Sequence, residues 1–183
     1  FATAAPFNLG NTIMGYGLSL ASSSGMRHAL PHKAISIMGD GGFWHNGLTS
    51  GVTSAVFNEH DGLLIVIDNG YSAATGGQDI PSLVEPNLIA TTLDTDRPKR
   101  DSWQTIEDAC RGAGVKWIRT VSTYNIAAMK ETLRTALTTD APGLKVVVAE
   151  GECMLNRQRR VKPMIKQAVA EGQRVKRARF YID

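Results

Sequence analysis

Cysteine is nearly absent: of 183 residues only Cys110 and Cys153 carry thiols, and no CxxC pair occurs. That excludes a disulfide framework and a zinc ribbon. Aromatic residues make up only 7% of the chain. No run of apolar residues approaches the roughly 20 needed to span a bilayer, so no membrane partner is expected. No charged, then apolar, then small-residue leader opens the chain, and it starts at Phe1 rather than Met; we expect a piece of a longer, cytoplasmic polypeptide. A complete dinucleotide fingerprint is missing too. Gly15-Tyr16-Gly17 lies in a helix-like segment rather than after a strand, and lacks the third glycine.

What is present suits one ordinary globular domain, with 43% hydrophobic and 20% charged residues. The net charge of +3 is unevenly spread. Residues 151–183 hold nine Lys/Arg against three acids, whereas the preceding 150 hold eleven basic and fourteen acidic groups. A basic tail without interleaved aromatics does not argue for nucleic acid. We read residues 1–150 as the domain and 151–183 as a basic arm, solvated or packed on an acidic neighbour.

Apolar runs alternate with helical periodicity. Helix-like segments are expected near 10–29, 45–59, 102–113 (opened by Asp101 and Ser102) and around Ile126, Met129, Leu133 and Leu137. Strands are expected near 33–38, 63–67, 115–121 and 144–149, with a long polar loop over about 69–101. Near-continuous apolar strands between helices predict an α/β fold, a doubly wound parallel sheet with helices on both faces. Gly47, Gly51 and Ala55, four apart, predict close helix packing. Cys110 reads as a core thiol, Trp44, Trp103 and Trp117 as core or interface anchors, and His28, His32 and His60 as surface residues.

Two strand ends break into glycine-rich turns: Gly39-Asp40-Gly41-Gly42 after Ile35-Ser36-Ile37-Met38, and Asp68-Asn69-Gly70 after Leu63-Leu64-Ile65-Val66-Ile67. In a parallel sheet, ligands bind at the carboxyl ends of strands, where strand order reverses. Glycines and a helix N-terminus suit a phosphate, but Asp40 would repel one. A divalent cation between them resolves the conflict, and magnesium shares its shell between protein oxygens and phosphate. Neutral oxygens would come from Asn69 and the Tyr71 carbonyl. The bland alternative is an aspartate that caps a helix and an Asn-Gly that only turns.

GDG followed at a distance by Asp68-Asn69 resembles the thiamine diphosphate motif. Thr75-Gly76-Gly77-Gln78 resembles the TGGQ segment of 2-oxoacid:ferredoxin oxidoreductases, and Phe43-Trp44-His45-Asn46-Gly47 is similar to the Phe-Phe-His-Ser-Gly of the indolepyruvate branch. The resemblance implies a diphosphate-binding domain over about residues 1–155. In it Asp40, Asn69 and Tyr71 hold magnesium, and Gly39, Gly41, Gly42, Phe43, Thr75 and Gly76 line the cofactor. His45 serves as acid or base. It implies oxidative decarboxylation of an arylpyruvate with coenzyme A and ferredoxin, iron–sulfur clusters outside this chain, and a pyrimidine-binding domain from the same or another chain in a homo-oligomer. The fragment alone should be inactive. Pyruvate-type members carry Asn before TGGQ, where this chain has Ala74, which argues against pyruvate. Competing readings are a non-redox thiamine diphosphate decarboxylase or carboligase, and a non-catalytic α/β scaffold.

Overall fold

The computed structural model describes residues 4–6, 8, 15–27, 29, 31–70, 72, 73, 75–78, 80–82 and 104–175. Four strands form one parallel sheet: β1 (Ile35–Gly39), β2 (Leu63–Asp68), β3 (Trp117–Ser122) and β4 (Lys145–Glu150), in the order β1-β2-β4-β3. The two middle strands explain the apolar runs. Four of the five first residues of β4 after Lys145 are valine or alanine and are buried, since both faces of the strand are covered.

Helices cover both faces. α1 (Ser19–Met26) precedes β1, and a continuous helical run, α2, joins β1 to β2. That run comprises an α-helical turn Asp40–Gly42, a π-helical stretch Phe43–Val52 and a closing α-helical segment Thr53–Phe57. With α3 (Ile106–Gly112), these pack on one face in a core that includes Leu20, Phe43, Val52, Leu64, Val66, Ile106 and Val148. α4 (Ile126–Thr138) covers the other face, where Met129, Leu133 and Ala136 meet Leu63, Trp117 and Val147. The opposite faces follow from topology: β1 to β2 moves one way along the sheet and β3 to β4 the other, with right-handed crossovers. The doubly wound α/β class read from the pattern is what forms.

Several boundaries differ from the periodicity reading. The helix after the first strand begins at Asp40, not near 45, because Gly39 is extended (φ −80, ψ 162) and Asp40 already takes helical geometry. α3 is opened by Thr105, whose hydroxyl accepts the Asp108 N–H at 2.9 Å, so the caps foreseen at Asp101 and Ser102 are not used for it; those two residues and Trp103 lie outside the described set. Likewise Asn125 caps α4 by accepting the Ala128 N–H at 3.0 Å. Reversal of strand order falls between β3 and β4, so the carboxyl ends of β1 and β2 lie at the sheet's described edge rather than at the reversal.

The small residues of α2 do pack closely. A Cβ on Gly47 would lie 2.5 Å from the Met38 sulfur, and one on Gly51 3.5 Å from Leu20. Cys110 is fully buried, and burial, helped by the Glu107 charge, pushes its thiol up to about 12. His60 is not the surface residue expected. It is 1% exposed, with Nδ1 3.0 Å from the Ser24 hydroxyl, because the chain folds back beneath α1 on leaving α2. Burial first, then the Arg27 charge, lowers its pKa. His32 is exposed; His28 lies outside the described residues.

α5 (Met154–Ala170) carries the basic arm and holds Pro163 within it. Among the described residues no helix is long and apolar enough to cross a membrane.

At the amino end of the sheet, Lys145 is completely buried at the start of β4 and its ammonium bonds the Asp61 carboxylate, which Lys33 also approaches at 3.6 Å. Removing one partner strands a buried charge, whereas an apolar replacement of the lysine does not. We predict that Asp61→Ala costs about 3 kcal/mol in urea denaturation and Lys145→Met much less. Equal losses would contradict the arrangement.

Candidate cofactor site at the carboxyl ends of β1 and β2

Register sets the site. Gly39 pairs with Ile67, which places Asp40 and Asp68 side by side as the two strands end. Asp40 is 2% exposed and its carboxylate ties both turns together. Oδ1 accepts the Gly41 N–H at 2.7 Å, and Oδ2 accepts the N–H groups of Asn69 and Gly70 at 2.8 and 2.9 Å. The two glycine turns are therefore one unit.

The electrostatics are strained in one direction. Burial raises the Asp40 pKa, against the pull of its backbone donors. Asp68 is pushed up to about 6, first by burial, then by the charges of Asp40 and of Glu150, its register partner on β4. Three carboxyl groups thus crowd one end of the sheet. A site this acidic admits a phosphate only if a cation accompanies it.

A cleft of about 450 Å³ opens there, with Asp40, Asn69, Gly39, Gly41 and Gly42 in its lining together with Tyr16, Ser19 and Ser72. Glycine has a different reason at each position. A Cβ on Gly39 meets nothing within 4 Å, so that residue keeps cleft space open. A Cβ on Gly41 would strike Ser72 at 2.5 Å, and one on Gly42 would come within 3.1 Å of the Gly17 nitrogen, so these let three chain segments touch. Gly17 itself has φ +69 and abuts the Gly42 carbonyl.

Thr75-Gly76-Gly77-Gln78 closes on itself. Ser72 and Gln78 pair across the turn, with N–H to carbonyl distances of 2.9 and 3.2 Å, and the Gln78 amide donates to the Thr75 carbonyl at 2.8 Å. Gly76 and Gly77 have φ of +114 and +95, which glycine alone takes without strain. This turn borders a second cavity of about 420 Å³ that also takes in Trp44, His45 and Ile80 and shares Tyr16, Gly41 and Ser72 with the first.

The family of known sequences now decides the matter. The profile described as "Thiamine pyrophosphate enzyme, C-terminal TPP binding domain" matches residues 3–149. The chain belongs to this family. Within this thiamine pyrophosphate enzyme family it is 30% identical over 151 residues to "Indolepyruvate oxidoreductase subunit IorA" of Methanothermobacter thermautotrophicus, covering 82% of this chain and 22% of that protein. The same-named subunit of Archaeoglobus fulgidus is 34% identical over 139 residues, covering 76% and 20%. The chain therefore spans about a fifth of the length of these curated relatives. Among solved structures, a 2-oxoglutarate:ferredoxin oxidoreductase from Magnetococcus marinus, with 2-oxoglutarate, coenzyme A and succinyl-CoA bound, superposes with a TM-score of 0.61 at 18% identity, covering 75% of this chain and 46% of that one. That likeness establishes the fold.

Thiamine diphosphate-binding chains need room for a diphosphate, and the space kept open at Gly39 beside a helix start provides it. The oxygen donors of Asp40 and Asn69 line the same cleft and match a hard divalent ion. Among the described residues no cluster of three or more His, Cys, Asp or Glu is placed to hold a metal ion. Tyr71 lies outside the described residues.

Some foreseen residues sit elsewhere. Phe43 is fully buried in the core and borders neither cavity, so its side chain is packing; Gly76 borders neither as well and serves its turn. Thr75 and the exposed His45 border the second cavity rather than the first. The sequence reading assigned no role to Asp68, Glu150, Ser72 or Tyr16. The Asp68-Asn69 pair was in view, but the carboxylate's neighbours on β4 depend on register. Ser72 is betrayed only by the glycine it touches.

Two predictions follow from this geometry. With its native pKa above the unfolded value of 3.8, Asp68 favours folding fully below about pH 4, and that contribution is lost as pH rises through about 6. We predict that Asp68→Asn stabilises the cofactor-free protein by about 1–2 kcal/mol at pH 7.5 in chemical denaturation, discounted for partial solvation, and by nothing at pH 4. Gly39→Ala should leave the thermal midpoint of the cofactor-free protein unchanged yet weaken thiamine diphosphate binding at least tenfold by calorimetry. In Gly41→Ala both should fall.

Proposed function

We propose that this chain is the diphosphate-binding part of a thiamine diphosphate- and magnesium-dependent 2-oxoacid:ferredoxin oxidoreductase that oxidatively decarboxylates an arylpyruvate such as indolepyruvate to its acyl-CoA. The observation that carries this reading is the Asp40 carboxylate clamped between two turns at the mouth of a glycine-lined cleft. The names of its relatives support the oxidoreductase branch, as does the Thr-Gly-Gly-Gln turn set against the adjoining cavity.

Thiamine diphosphate, when bound, supplies a carbon nucleophile toward the 2-oxo carbonyl. Around it, Asp40 and Asn69 would hold a divalent ion that neutralises the diphosphate, with Tyr71 the third ligand that the motif implies. Gly39, Gly41 and Gly42 bring backbone close to the phosphates. His45, on the rim of the second cavity, exchanges a proton with the bound oxoacid. The pyrimidine-binding domain and the iron–sulfur clusters that pass electrons to ferredoxin would lie outside residues 1–183. The assembly is a cytoplasmic oligomer.

Asp40→Ala would leave three backbone N–H groups without their acceptor as well as removing the charge, whereas Asp40→Asn removes the charge and keeps one of the two accepting oxygens. In the complete protein we expect Asp40→Asn to abolish magnesium-dependent cofactor retention on gel filtration with secondary structure unchanged by circular dichroism. Asn69→Ala should weaken it less, because water replaces a neutral oxygen. Wild-type retention in Asp40→Asn would refute the metal role.

A further inference from the structure

The second cavity has a chemistry that the cofactor does not explain. It shares Tyr16, Gly41 and Ser72 with the cofactor cleft, and among the described residues its lining holds no Lys, Arg, Asp or Glu, with the His45 imidazole on its rim. Several of its polar groups are spent on one another: the Thr75 hydroxyl donates to the Gln78 side-chain amide oxygen, and the Gln78 amide donates to the Thr75 carbonyl at 2.8 Å. Trp44 and the 4%-exposed Ile80 supply its apolar wall.

Trp44 is held in one plane from two sides. Its Nε1 donates to the Ser82 hydroxyl at 2.9 Å, and Ser82 is itself buried. Its ring stands edge-on to Phe43, 5.1 Å between centroids and 86° between planes, and Phe43 is fully buried in the core. An indole fixed in this way presents a rigid flat surface with little rotamer entropy left to lose on binding. A flexible apolar side chain would give no such shape selection.

We propose that this cavity receives the side chain of the 2-oxoacid, a neutral planar aryl group, with Trp44 as the specificity-determining wall and Ser82 as the positioning residue that sets the indole plane. The assignment rests on the function proposed above. It follows from the fixed aromatic wall and from the residues the two cavities share: the reacting carbonyl stays at the cofactor cleft, and the far end of the molecule lies past Tyr16, Gly41 and Ser72 against Trp44 and Ile80.

The test uses the complete holoenzyme, wild type and Trp44→Ala, Trp44→Phe, Ser82→Ala and Ser82→Thr. Steady-state turnover is compared for indolepyruvate and for the small pyruvate, with thiamine diphosphate binding measured alongside as the control for folding. Calorimetry with 3-indolepropanoate, an unreactive aryl acid, reports occupancy without turnover. Trp44→Ala should lower kcat/KM for indolepyruvate by about 10–200-fold, mainly through KM. Its effect on the smaller pyruvate should be several-fold less, and the 3-indolepropanoate heat should vanish with cofactor affinity kept. Trp44→Phe should fall between, Ser82→Ala should lower the aryl-to-alkyl ratio several-fold, and Ser82→Thr should restore it. If the ratio and the 3-indolepropanoate affinity stay at wild-type values in Trp44→Phe and Ser82→Ala, the side-chain assignment is wrong while the oxidoreductase reading survives. If the wild-type assembly turns over no 2-oxoacid, both fall.

Discussion

One buried carboxylate organises this end of the molecule. Asp40 accepts three backbone N–H groups drawn from two turns that are nearly thirty residues apart in sequence, and it does so at 2% exposure. Charge-assisted bonds of this kind are among the stronger ones available to a protein. Burying anions here is nevertheless unfavourable: burial raises the Asp40 pKa, and burial together with the charges of Asp40 and Glu150 raises that of Asp68. The fold keeps a local excess of negative charge in a place built for an anionic ligand. A divalent cation is the species that removes both conflicts at once.

Everything around the carboxylate follows from bringing chain segments closer than side chains allow. Gly17, Gly41 and Gly42 let the approach to α1, the start of α2 and the turn at Ser72 meet, while Gly39 leaves a gap. Contact and vacancy are both obtained by omitting a Cβ, and the difference lies only in what stands opposite. The parallel pairing of β1 with β2 fixes the level at which the turns emerge, and the apolar interior of β4 holds that pairing in place.

Much of this was legible in the residues. The alternation of apolar runs and helical periods located all four strands within a few positions. The two glycine turns were recognisable as partners because each ends a strand. Other features were not legible, for physical reasons. The π-helical stretch Phe43–Val52 has the same apolar spacing as an ordinary helix over so short a span. Phe43 stands next to the motif in sequence, yet a helix turns neighbouring side chains toward different sides, and its ring goes into the core while Trp44 reaches the cavity. His60 is polar and near an element end, which suggests a surface; the chain's return beneath α1 buries it. The influence of Glu150 on Asp68 needs the register of β2 on β4, a tertiary fact with no local signal.

The most direct test replaces magnesium with manganese in the complete protein loaded with thiamine diphosphate and locates the metal by anomalous diffraction. We expect a metal peak within coordination distance of an Asp40 carboxylate oxygen, with the Asn69 side chain and diphosphate oxygens around it. A well-ordered diphosphate in the cleft with no metal at Asp40, or with the metal bound elsewhere, would contradict it.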